Sequence, residues 1–356
     1  MLAMIDWLSV SQNHVEPHEP FGADLVLHTD PETGEVTREH IVGFQHQGSF
    51  DTSLRIRSDG HRVEVSGNPS RFNREDNLFG FTAMADCMQL YNELLASLGL
   101  PLFTKGTADD VWDNAKTGHA QILEGCHFSR VDLAWNYETG SDRNADLALR
   151  ALSACSRRGK APKVEPSGMV HWGSADYARA KYYNKGRELK AHGNKKAVKT
   201  LYRDNIREYC QHHGIVRFEV GLGRKLLHEK KMNGWVLWND ETASELARKY
   251  DRANDMQAST TSYQEIAAEL EKYDLPRTRA LRAQHAAMAW LAGEDLRQSM
   301  SKSAFYRVAA DLSMVGLDVK IPCNIQSLAV QVRTVDLRPS QAPAWYQHPR
   351  GLALAA

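Results

Sequence analysis

The sequence predicts an α+β protein: an antiparallel-sheet domain first, then a mainly helical C-terminal region. Three observations carry this. Segments of alternating apolar and polar residues recur up to Gly223, an Asp-Gly hairpin signal sits inside the first of them, and beyond Trp238 the apolar spacing changes from two to three and four. At 356 residues the chain has room for two or three core-forming units. Boundaries are expected to give a sheet domain over 1–237, a helical region over 238–320, and a terminal strand with an extended tail over 321–356.

In chain order, "LRIRSDGHRVEVSG" (Leu54 to Gly67) places Asp59-Gly60 between two alternating runs, and this pair tolerates the positive φ of a tight turn. Phe81, Met84, Met88, Tyr91, Leu95 and Leu98 recur on one helical face, which Gly99 stops; a one-sided stripe of this kind reads as core packing. "FSRVDLAWNY" (Phe128 to Tyr137) sends Val131, Leu133 and Trp135 to one face and Arg130, Asp132 and Ala134 to the other. A capped helix follows in "GSDRNADLALRALSACSRRG", then a turn and strand in "VEPSGMVHWGS". "IVRFEVGLG" (Ile215 to Gly223) is a second strand in which Arg217 and Glu219 share a face, so R-x-E echoes R-x-D. Helices then follow: Asp240 as a cap, Ser262 with Glu265 as a capping box, an apolar period over Thr278 to Leu291, and a serine-capped helix ending at Gly316 in a layout compatible with helix-turn-helix packing. "LAVQVRTVDLRP" (Leu328 to Pro339) alternates as a last strand.

Apolar residues at 42% and charged residues at 25% describe an ordinary globular chain, and a formal net charge of zero excludes a uniformly basic coat. Charge is nevertheless local: between Lys181 and Arg207 lie nine Lys and Arg against Glu188 and Asp204, which fits either a solvated helical face or a phosphate contact. The five cysteines, Cys87, Cys126, Cys155, Cys210 and Cys323, form no C-x-x-C pair, so neither a disulfide framework nor a zinc module is implied. No basic-then-apolar leader and no apolar run of membrane-spanning length occurs, so a cytosolic protein without membrane contact is expected.

The polar faces hold the chemistry. Asp132 and Glu219 supply hard oxygen ligands suited to Mg²⁺ or Mn²⁺, and if their strands are neighbours both carboxylates emerge on one surface with Arg130 and Arg217. Spacing alone leaves buried Arg–carboxylate bridges without any metal equally open. In "KYYNKGREL" (181–189) Tyr182 and Tyr183 point to opposite faces of a strand, so only one can meet a given phosphate, and a phenol needs a nearby cation such as Lys185 to become a nucleophile.

The blocks "MIDWLSV", "GNPSRFNREDNLFG", "SRVDLAWN", "VHWGSADYARAKYYNKGREL", "VRFEVGL" and "AFYRVAADLSMVGLDV" occur in the order seen in replication initiators of filamentous bacteriophages, which the chain resembles over most of its length. That family is similar to the HUH-type nicking and joining endonucleases of rolling-circle replication. The resemblance implies an HUH/RRM-like sheet and a tyrosine that attacks the plus strand of replicative-form DNA, giving a 5′-phosphotyrosyl enzyme and a free 3′-hydroxyl, with later rejoining of the displaced strand into a circle. The family's Y-x-K pattern falls on Tyr183 and Lys185, with Tyr182 as the second choice of nucleophile. No His-hydrophobic-His triplet exists in the sequence, so Asp132 and Glu219 are the expected metal ligands, with His171 or His127 as a third. Arg130, Arg179, Lys181, Arg187 and Arg217 are the expected DNA contacts. Implied partners are double-stranded replicative-form and single-stranded origin DNA, with host helicase, polymerase and single-strand-binding protein in the bacterial cytoplasm. A non-catalytic origin-binding protein and a plasmid-type initiator or relaxase are the alternatives.

Overall fold

The computed structural model describes residues 2–21, 25–41, 43–111, 120–154, 162–191, 200–253, 266–271, 273, 275–315, 317–320 and 337–349. The Ser262–Glu265 capping box, the Gly316 stop, Cys155, Cys323 and the bulk of the 328–339 strand lie outside them. The strands are β1 Met4–Asn13, β2 Leu25–Thr29, β3 Val36–Ile41, β4 Phe44–Gln47, β5 Ser53–Ser58, β6 Arg62–Gly67, β7 Ala108–Val111, β8 Ala120–Leu123, β9 His127–Glu138, β10 Lys163–Val164, β11 Val170–Ser174, β12 Ala178–Asn184, β13 Ile215–Gly223 and β14 Arg338–Pro339. The helices are α1 Met84–Ser97, α2 Asp142–Ala154, α3 Lys185–Ala191, α4 Leu201–His213, α5 Arg224–Glu229, α6 Asp240–Arg248, α7 Ile266–Glu271, α8 Arg277–Leu291, α9 Leu296–Ser299 and α10 Lys302–Met314.

One antiparallel sheet dominates, in the order β10-β11-β12-β13-β9-β1-β6-β5-β4, with β14 added against β9. The pairs β2–β3 and β7–β8 are separate ribbons. Alternation sets the two sides of the large sheet. Val131 and Leu133 of β9 and Val216, Phe218 and Val220 of β13 are buried on one side, where the apolar stripe of α1 (Met84, Met88, Tyr91, Leu95) and the Ala145, Ala148, Leu149 and Leu152 stripe of α2 cover them. Tyr91 donates its hydroxyl to the Leu8 carbonyl at 2.9 Å and so anchors α1 to β1. The other side carries the charged positions.

The Asp59-Gly60 turn forms as expected, with Gly60 at φ +97 and the Asp59 carboxylate accepting from the Arg62 N–H at 2.7 Å. The cap of α6 is Asn239, whose side chain accepts from the Thr242 N–H, and not Asp240. Asp240 instead accepts from the Trp238 indole at 2.7 Å and the Met84 N–H at 3.1 Å.

Two expected boundaries move. The first core continues past 237, because Ala243, Leu246, Ala247, Tyr250 and Ala253 all pack into it and Ser244 Oγ accepts from the Ala3 N–H at 3.0 Å. A second core, from Ile266 to Val319, gathers α7, α8 and α10, and there Arg279 forks onto the buried Asp311 at 2.9 and 2.6 Å. The tail after residue 336 is docked: Leu337 joins the first core, β14 pairs with Glu138 and Tyr137, and Tyr346 is buried with its hydroxyl donating to Asp76 at 2.6 Å.

Candidate active site on the polar face of the sheet

Register places the polar residues in rows. His171, Lys181, Glu219 and Ala134 are directly opposite one another across β11, β12, β13 and β9. The next row runs Gly173, Arg179, Gly221, Asp132 and Trp7, and the row on the other side runs Tyr183, Arg217 and Asn136. Strands β9 and β13 are neighbours, so Asp132 and Glu219 emerge on the same surface. Gly221 leaves room for the Asp132 carboxylate to lie over β13: a Cβ there would meet Asp132 Oδ1 at 2.9 Å.

Tyr183 stands on this face, half-buried, and donates its hydroxyl to Glu219 Oε2 at 3.2 Å. The Lys181 and Lys185 ammonium groups lie 5.6 and 5.9 Å from its ring centroid. Burial and the Glu219 charge push the phenol well above its usual range, so it is protonated at rest. Burial, reinforced by the charge of Asp6, pushes the Glu219 carboxyl up to about 7, against the pull of Lys181, whose Nζ is 2.6 Å from Oε1. Tyr182 lies on the opposite side. It is fully buried against Trp172 and Phe218 and donates its hydroxyl to Asp251, which also accepts from Trp135 and Tyr137.

The basic residues divide. Arg130 grips Asp132 at 2.8 and 2.5 Å, lies over the Trp7 ring at 5.2 Å, and keeps half of its side chain exposed. Lys181 and Arg179 line the same face. Arg217 is fully buried and takes the structural one of the two roles the sequence left open: it donates to Asn136 Oδ1 at 3.0 Å and to the Asn77 and Leu78 carbonyls at 2.6 and 2.7 Å, so no DNA phosphate reaches it. Arg187 pairs with Asp146 of α2, the helix that covers the apolar side, and so does not join the row of Tyr183.

The histidines also separate. His171 is buried beside Lys181, its Nε2 3.1 Å from Glu165 Oε1, and its Nδ1 has no partner among the described residues. Burial and then Arg179 lower its pKa, favouring the neutral ring. His127 sits at the far end of β9 opposite Ser11, five residues from Asp132, or roughly 16 Å along an extended strand. It is not brought to Glu219.

Asp6, Asn68, Asn77 and Glu188 complete the constellation. A register shift between Ile5 and Trp7 turns Asp6 to the polar side, where its carboxylate accepts from Asn68 at 3.0 Å and Asn77 at 2.9 Å and faces Arg217 at 3.5 Å. Burial works to raise the Asp6 carboxyl, but Arg217, Lys185 and Lys181 outweigh it and hold the group below its ordinary value. Asn77 also accepts from Lys185 Nζ at 2.8 Å, and Glu188 holds the same nitrogen at 2.7 Å, so a fully buried ammonium is fixed against the tyrosine. The bulge breaks the alternation that reveals Asp132 and Glu219, and for that reason Asp6 carries no sequence signal. The Asn68–Gly80 loop that brings Asn77 is one of the blocks that carry the resemblance, but nothing in its spacing assigns Asn77 to the site.

A helix-backed antiparallel sheet thus carries a phenol, a carboxylate and two ammonium groups on its open face. The chain belongs to the replication-associated protein family of phages. The model of that family's N-terminal region matches residues 4–241, and the model of its C-terminal region matches residues 271–352. The replication-associated protein of Escherichia phage If1 is similar, with 27% identity over 330 residues that cover 85% of this chain and 99% of the relative. No solved structure matches.

Proposed function

We propose that the chain initiates rolling-circle replication of a filamentous phage by nicking and later rejoining one strand at the origin, with Tyr183 as nucleophile. The observation that carries the reading is the Tyr183 hydroxyl donating to Glu219 at 3.2 Å, on the open side of the sheet, with two ammonium groups against its ring. The Tyr183 oxygen bonds to phosphorus as the bond from phosphorus to the 3′-oxygen breaks. The phenol proton passes to Glu219 Oε2, and the departing 3′-oxygen takes a proton from solvent water to become a free hydroxyl. A carboxyl poised at about 7 suits a base working near neutrality. Lys181 and Lys185 stabilise the charge that develops on the phenol oxygen. Running the same steps backwards from a phosphotyrosyl strand seals the circle.

Among the described residues no three His, Cys, Asp or Glu side chains gather to hold a metal ion. Asp132, on the strand beside Glu219, is a hard oxygen donor that fits Mg²⁺ or Mn²⁺, because such ions are commonly held by one or two carboxylates with waters and substrate phosphates completing the shell, whereas Glu219 as the base would not ligate the ion at the same time. A bound ion would neutralise the non-bridging phosphate oxygens. Arg130, Arg179 and Lys181 would meet the DNA backbone on the same face. Host replication proteins would then act on the exposed 3′-hydroxyl. No helix among the described residues is long and apolar enough to cross a membrane.

The test is an origin-bearing oligonucleotide labelled on the strand 3′ of the nick, incubated with Mn²⁺ and run under denaturing conditions. A protein–DNA adduct is expected, with the label on the peptide containing Tyr183, and Tyr183→Phe gives none. Complexes that form but dissolve fully in denaturant would leave a DNA-binding protein without this chemistry.

A further inference from the structure

In the motif "GNPSRFNREDNLFG" Asn68 and Asn77 serve the site described above; its arginines do something else. The loop between β4 and β5 is bent sharply at its tip, where Phe50 and Asp51 adopt φ +58 and +56. A bulky residue at positive φ is strained and persists only where its surroundings hold it. Here two guanidinium groups hold it. Arg71 Nη2 and Arg203 Nη2 donate to the Phe50 carbonyl at 3.1 and 3.3 Å, and the Arg203 guanidinium lies 5.8 Å from the Phe50 ring centroid. The result is an aromatic ring left 38% exposed beside paired arginines. Arg203 is also 3.7 Å from Glu75 and Arg74 is 3.8 Å from Asp76, whereas Arg71 bridges no carboxylate among the described residues and its Nη1 is buried without a partner there. Burial and the neighbouring Arg203 charge lower the Arg71 guanidinium to about 10, so a bound anion would relieve it.

This cluster shares the end of the sheet with the tyrosine. The β4–β5 turn and the loop leaving β6 both lie at the end of the strands where β1 carries Asp6. From that loop Asn77 reaches Lys185, and Glu188, which holds Lys185, is close enough to act on Arg71.

We propose that Phe50, Arg71 and Arg203 form a subsite for one unpaired nucleotide of the DNA strand, its base stacked on Phe50 and its phosphate on the two guanidinium groups. The subsite rests on the DNA-processing reading above and deepens it: the strand is held single-stranded beside the nucleophile. Aromatic stacking with arginine support is tolerant of base identity, so the preference is for unpaired over paired DNA.

The experiment is fluorescence anisotropy of a fluorescein-labelled oligothymidylate of about 20 nucleotides, with a hairpin duplex of like length as comparison. Phe50→Gly suits the positive φ, so its melting temperature is retained while single-strand affinity falls roughly tenfold and duplex affinity is unchanged. Phe50→Trp keeps the affinity. Arg71→Gln lowers the slope of log affinity against log salt by about 0.7, the contribution of one single-strand phosphate. Unchanged binding in both Phe50→Gly and Arg71→Gln overturns the subsite while leaving the nicking reading intact. Wild type that forms the Tyr183 adduct yet shows no affinity for the oligothymidylate overturns it too. Wild type with neither adduct nor binding removes both readings. If Phe50→Gly lowers the melting temperature, Phe50→Trp decides: lost affinity in a stable Trp variant refutes stacking.

Discussion

At the scale of single residues the site is governed by protons held away from their usual affinities. Glu219 carries its proton up to about 7, so below that value the acceptor for the Tyr183 proton is already filled. Adduct formation is expected to rise through this range and level off above it, and Glu219→Gln to abolish the rise along with most of the rate. A single-turnover pH profile measures this, and a flat wild-type profile between pH 5.5 and 8.5, spanning roughly three decades of proton activity, would exclude Glu219 as the base. The sign for stability is opposite to that of an ordinary ion-paired acid. The unfolded carboxyl ionises near ~4.3, so between there and about 7 the native state holds the extra proton and loses stability relative to Glu219→Gln as pH rises. Arg217 shows the cost of the same burial when a partner is removed. Arg217→Met takes the counter-cation from Asp6 and a donor from Asn136 Oδ1 and from the Asn77 and Leu78 carbonyls, and a loss of about 3–5 kcal/mol in denaturant unfolding is expected.

At the scale of elements, period two made much of the site legible. Alternation in "FSRVDLAWNY" and "IVRFEVGLG" placed Asp132 and Glu219 with Arg130 and Arg217 on one surface, and pairing of β9 with β13 brings them together. The same period separates the two tyrosines of β12, but composition cannot say which side is covered; α2 packing against Tyr182 decides that. Asp6 was illegible because a bulge turned it, and Asn77 because its role exists only once the loop folds back onto Lys185. The tyrosine pair yields a sharp contrast. Tyr182→Phe removes a buried hydroxyl from Asp251 and is expected to lower stability by about 1–3 kcal/mol while adduct formation persists. Loss of the adduct in a folded Tyr182→Phe protein would transfer the nucleophile's role to the wrong side of the sheet and defeat the assignment.

At the scale of the whole molecule, the chain returns to where it began. The second core is built from residues after 265, yet the tail returns to the sheet domain: Leu337 joins the first core at 2% exposed, β14 extends β9, and Tyr346 packs with Leu78, Ile206, Cys210 and Ile215 and accepts from the Phe79 N–H and Arg74 Nη2 at 2.8 and 3.0 Å. A terminal Pro-rich stretch carries no periodicity, so its docking could not be read from sequence; it depends on a pocket made by a loop more than two hundred residues earlier, where Tyr346 and Asp76 are 270 positions apart. That pocket is formed by the Asn68–Gly80 loop, which also carries Asn77 to Lys185, so the tail braces the loop that braces the site. A chain ending at residue 336 would forfeit the burial of one Leu and one Tyr, roughly 3–5 kcal/mol at the usual worth of such side chains. The loosened loop should also slow adduct formation more than it weakens DNA binding, because Lys185 loses its fixed position while Arg130 and Lys181 stay on their strands. Equal unfolding free energies for the full and shortened chains, or a fall in binding with the adduct rate preserved, would show that the tail merely rests on the loop.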